Sequence, residues 1–197
     1  MRAELVRSTD DLPRGPIHIA YYVPHGNQPS VPRDDDSNYE SNDQPNEGID
    51  IGGSHPTVPG NRAVLRNGIA YAPANAPQNV KLAIWAVNTL RNRPYVWGGG
   101  HSSFQDYGYD CSGTVSFALH YAGVLDRPLP SSDLLRFGEY GRGRWITVYS
   151  RNGHTFAIIA GLRLDTTDFR RGGNDGPRWH TDGRETWGFE ARHPAGL

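Results

Sequence analysis

Apolar residues follow two different rhythms along this chain, and the change from one to the other divides it. Between residues 79 and 92, Val80, Ala83, Ile84, Val87 and Leu90 recur three or four apart, the stripe of an amphipathic helix, which Pro94 ends. The spacing predicts a second helix over 112–121, with Val115, Ala118, Leu119 and Ala122 inward and Gly123 as its stop. Ser131-Ser132-Asp133 suit the cap of a short third helix around 134–137. From residue 146 the period is two. Segments 146–149, 155–159 and 162–166 read as consecutive antiparallel strands, joined at Asn152-Gly153 and Ala160-Gly161, and 188–192 reads as one more. Helices followed by strands is the order of an α+β fold.

The first third is less regular. Residues 16–24 suit a short strand bounded by prolines, and Asn67-Gly68 between two apolar triplets is a type I′ hairpin signal. Between them, His25 to Gly60 carries seven Asp or Glu against a single Arg. Its five large apolar residues (Val31, Tyr39, Ile49, Ile51 and Val58) bury too little to offset the entropy of ordering, so this stretch is expected to be a mobile arm or loop. Asp34-Asp35-Asp36 lacks the spaced ligands and distal Glu of a calcium loop. The division that follows is an extension over 1–24, an acidic arm over 25–60 and one folded domain over 61–197.

Composition removes several function classes. Of 197 residues, 39 are Gly or Pro, which makes the chain loop-rich, while 36% hydrophobic content still supports a core. A net charge of −1 gives no electrostatic case for nucleic acid or an anionic membrane. No apolar run approaches the ~20 residues of a membrane span. The N-terminal segment carries charges where a secretory signal needs an apolar core, so no signal peptide is visible. One cysteine and scattered histidines offer no short-spaced zinc ligand pair.

That cysteine is the informative residue. Cys111 stands in Tyr109-Asp110-Cys111-Ser112-Gly113, directly before the second predicted helix. A helix N-terminus offers unpaired N–H groups and the positive end of a dipole, which favour a thiolate and later an oxyanion. A thiol nucleophile also needs an imidazole within reach and a third group to orient it. Of eight histidines, His154 is the best placed, opening a core strand after a tight turn. His120 lies nine residues along the same helix from Cys111, too far to touch it. His101, after Gly98-Gly99-Gly100, sits on a loop able to approach substrate. Trp97 is expected in the core.

Pro94-Tyr95-Val96-Trp97-Gly98-Gly99-Gly100, then Tyr109-Asp110-Cys111-Ser112-Gly113 before a helix, then Asn152-Gly153-His154 opening a strand, resemble the NlpC-type cysteine peptidases. These are papain-like enzymes that trim bacterial cell-wall peptides. The resemblance covers roughly residues 79–166. It implies helices packed on a central antiparallel sheet, Cys111 as nucleophile and His154 as base. It also implies a third polar residue on the next strand, where Asp165 is the first candidate and Asp168 the second; the family more often has His, Asn or Gln there. Tyr95 would position substrate, and Asp110 with Ser112 would hold the free amino end of a stem peptide, although Asp110 would equally serve as a helix cap.

The implied reaction is hydrolysis of a γ-D-glutamyl–diamino acid bond in a peptidoglycan stem peptide, with no metal or organic cofactor. The enzyme would act as a monomer at the cell wall, in the periplasm or outside the cell. Two alternatives stay open on the sequence: another Cys-His amidase or acyltransferase, and an inactive wall-binding or interaction module.

Overall fold

A computed structural model describes residues 55–168 and 173–197. The strand expected over 16–24 and most of the acidic arm lie outside the described residues. The elements in chain order are β1 (Thr57–Val58), β2 (Val64–Arg66), β3 (Ile69–Pro73), α1 (Gln78–Asn88), α2 (Cys111–Tyr121) and α3 (Ser131–Leu134), then β4 (Glu139–Tyr140), β5 (Ile146–Arg151), β6 (His154–Ile159), β7 (Leu162–Asp168), β8 (Gly173–His180) and β9 (Glu190–His193). This is a mixed α and β architecture with two sheets.

The small sheet has the order β1-β3-β2, with β1 parallel to β3. The hairpin at its edge forms at Asn67-Gly68, both with positive φ as a type I′ turn requires. β1 falls inside the stretch expected to be irregular. Val58 is buried there, and the Ala72 and Ala74 N–H groups donate to the carbonyls of Pro56 and Val58. The acidic composition of that stretch therefore hid a short ordered end.

The large sheet has the order β4-β9-β5-β6-β7-β8 and is antiparallel throughout. Ile146 and Val148, Ala157 and Ile159, and Leu162 and Leu164 share one face and join the core formed with Val80, Ile84 and Val87 of α1 and Val115, Ala118 and Leu119 of α2. Helix α2 packs against both β6 and β7.

Several expected boundaries move. Helix α1 stops at Asn88, because Asn88 bonds Ala70 in both directions and receives the Trp179 indole N–H, pinning that end to β3 and β8. In α3 the two serines are helical and Pro130 stands at the cap. Strand β8, unforeseen in the tail, pairs with β7 through a bulge between Asp165 and Thr167. Helix α2 ends as expected: Gly123 at φ +69° lets its N–H reach His120 and that of Val124 reach Leu119, a Schellman closure.

Candidate active site

Helix α2 begins at Cys111, with Asp110 as its N-cap. Asp110 Oδ1 accepts the Gly113 N–H at 2.8 Å, and its carbonyl takes the Thr114 hydroxyl at 2.7 Å. The preceding glycine loop is held from the same carboxylate, since the Gly98 N–H donates to Asp110 Oδ2 at 3.1 Å. Gly113 is obligatory for closeness rather than for conformation: a Cβ there would collide with the Gly99 carbonyl. One aspartate thus fixes both the helix start and the loop packed against it. The N–H groups of Cys111 and Ser112 lie at the positive end of this helix.

Tyr95 forms an isolated bridge with Tyr109 and sits close enough to the thiol that its phenol titrates above the usual range, through burial first and then the charges of Cys111 and Asp110. His101 lies astride the cap. Its Nε2 is 3.0 Å from both Asp110 carboxylate oxygens and 2.9 Å from Ser112 Oγ, which itself donates to Asp110. Trp97, expected in the core, is 88% exposed instead. The glycine turn after it directs the chain back toward α2, and its ring is left outside.

On the sheet, His154 opens β6 and its Nε2 is 3.1 Å from Asp165 Oδ1. Asp165 is a buried residue of β7. Asp168, the other candidate, closes β7 opposite Gly173. Nε2 is the ring nitrogen that faces the carboxylate. Burial pushes the His154 pKa down, but hydrogen bonds to Asp165 and to Cys111 outweigh it and hold the ring above its ordinary 6.5. For Asp165 burial raises the pKa, and the contacts of His154 and Arg184 reverse that, leaving it below 3.8.

Two arginines complete this cluster, neither foreseen from the sequence. Arg163 Nη1 is 3.3 Å from Asp165 Oδ2, within a residue that is almost wholly buried. Arg184 Nη1 donates to the same oxygen at 2.6 Å and lies 2.9 Å from His154 Nε2. Its guanidinium also lies over the rings of Phe156 and Phe189, at 5.3 and 5.4 Å. A signal for Arg163 existed in its two-residue spacing from Asp165, which puts both on one face of a strand. Arg184 carried none, since its segment has no periodicity.

The structure therefore gathers Tyr95, His101, Asp110, Cys111 and Ser112 at the start of α2, and His154 with Asp165 on the sheet, with the thiol close enough to raise the pKa of the ring. Among the described residues no group of three or more His, Cys, Asp and Glu is arranged to hold a metal ion. No described helix is long and apolar enough to cross a membrane.

No family model matches the chain. Among curated proteins it is similar to Peptidoglycan endopeptidase RipB of two Mycobacterium tuberculosis strains, CDC 1551 / Oshkosh and ATCC 25618 / H37Rv. The identity is 31% over an alignment of 132 residues, and the match covers 54% of this chain and 53% of each relative. The chain spans about half the length of the curated relatives it matches.

Proposed function

We propose that the protein is a cell-wall hydrolase of the NlpC type, a cysteine peptidase that cleaves the γ-D-glutamyl–diamino acid bond of peptidoglycan stem peptides. The observation that carries this reading is the buried His154–Asp165 pair, 3.1 Å apart on the sheet, with the Cys111 thiol at the start of α2 near enough to raise the imidazole pKa. Similarity to a peptidoglycan endopeptidase supports the substrate class.

The chemistry is acyl transfer to water. The Cys111 sulfur attacks the amide carbonyl carbon, and the C–N bond breaks as His154 gives its proton to the departing amine. The backbone N–H groups of Cys111 and a neighbour at the start of α2 receive the oxyanion. His154, now neutral, takes a proton from water, which attacks the thioester and frees Cys111. Asp165 keeps Nε2 occupied, so that Nδ1 handles every proton. Asp110 and Ser112 receive the free ammonium of the stem peptide, beside His101 and the Tyr95 ring.

Purified muropeptides incubated with the wild type and with Cys111→Ala, then analysed by mass spectrometry, test this reading. The wild type should release fragments cut between D-glutamate and the diamino acid, and the variant none. Intact muropeptides after wild-type treatment would refute it.

A further inference from the structure

Residues on β5 and β6 alternate between two faces. While Val148 and Ala157 turn toward the helices, Thr147, Tyr149, Phe156 and Ile158 turn the other way, and beside them opens a cleft of about 380 Å³. Four arginines from three separate segments line it: Arg62 between β1 and β2, Arg142 and Arg144 before β5, and Arg184 between β8 and β9. No aspartate or glutamate is among its lining residues.

Arg62, Arg142 and Arg144 are exposed, and among the described residues none of them forms an ion pair with a carboxylate. Arg142 and Arg144 lie against the rings of Tyr149 and Trp145, at 6.0 and 5.4 Å. Those contacts limit the directions the side chains take without neutralising them. Like charges gathered on one concavity repel, and low-dielectric aromatic walls focus their field outward. An anion entering the cleft relieves that repulsion.

We propose that this cleft is a binding site for a phosphate-bearing ligand. A phosphate places two charges on one tetrahedral centre, and its oxygens accept from several guanidinium forks together, whereas a single carboxylate matches one fork. The volume accommodates a phosphoryl group with a small organic substituent. The cleft shares Arg184 with the Asp165 cluster, but phosphate binding there does not depend on the peptide chemistry proposed for Cys111.

Calorimetric titration of the full chain with inorganic pyrophosphate at low ionic strength tests this. Saturable binding is expected, weakened about tenfold or more in Arg142→Gln/Arg144→Gln. Arg66→Gln, an exposed arginine over Tyr71 and outside the cleft, should bind like wild type. Citrate should bind about tenfold more weakly than pyrophosphate. Absence of saturable pyrophosphate binding, undiminished binding by the double variant, or equal loss in Arg66→Gln would overturn the site. Citrate binding as tight as pyrophosphate would overturn its phosphate assignment.

Discussion

Two histidine–aspartate pairs flank Cys111, and they are built in opposite ways. His101 and Asp110 belong to the loop and helix start, nine residues apart, and the imidazole side chain is 34% exposed. Asp110 is held by backbone N–H groups from Gly98 and Gly113, so its carboxylate is fixed by the local chain before any ligand arrives. His154 and Asp165 come from neighbouring strands; their side chains are 14% and 0% exposed. No backbone loop wraps that carboxylate in the same way. Two guanidiniums, the imidazole and the Thr167 N–H hold it.

The difference teaches what each pair is suited to do. A carboxylate buried without cations would protonate and cease to orient anything. His154 and Arg184 keep Asp165 charged at the strand, where it in turn favours the charged imidazole. Asp110 is held instead by backbone N–H groups at the start of a helix. The first pair suits reversible contact with a substrate's ammonium; the second suits repeated proton handling in a fixed geometry.

Asp165→Asn breaks the second pair and should have the larger effect. It removes the charge that raises the His154 pKa, while the amide oxygen still accepts from Nε2. Muropeptide hydrolysis should fall by about 10²-fold or more. The sign in pH follows from the same shift: in the proposed reaction the protonated ring is the acid that the leaving amine needs, so the alkaline limb of kcat/KM should lie above 6.5 in the wild type. In Asp165→Asn that limb should move to lower pH. An unmoved limb would mean that Asp165 only fills space.

His101→Ala breaks the first pair and should act more gently. Asp110 keeps its backbone partners, so the helix start survives and kcat should stay within about twofold. KM should rise about tenfold, measured on the same muropeptides, as a contact made equally in ground and transition states is lost. A collapse in kcat with unchanged KM would place His101 in the chemistry and erase the distinction between the pairs.

Much of this arrangement was legible in the chain, for identifiable reasons. Asp110 announced itself because capping is local: the residue, the helix and the N–H it accepts lie within four positions. His154 was readable because Asn152-Gly153 fixed where β6 begins. Asp165 was harder, since its face depends on hairpin register, and the tight Ala160-Gly161 turn settles that register by pairing Ile159 with Leu162. Trp97 was misjudged because size suggests burial, while the adjacent glycine turn leaves the ring outside. Strand β8 escaped because Gly173, Gly176 and Pro177 mask the period of two, and its pairing is driven by contact with β7. Arg184 became visible only once the chain after β8 had been brought beside Asp165, a contact nineteen residues long in sequence.

The central claim is that the Cys111 thiol and the His154 ring act on one another. Nitrogen-15 NMR titration of the His154 imidazole, in the wild type and in Cys111→Ala, measures this directly. The ring should titrate above 6.5 in the wild type and at a lower pH once the thiol is gone. A midpoint at or below 6.5 that Cys111→Ala leaves unchanged would contradict the account.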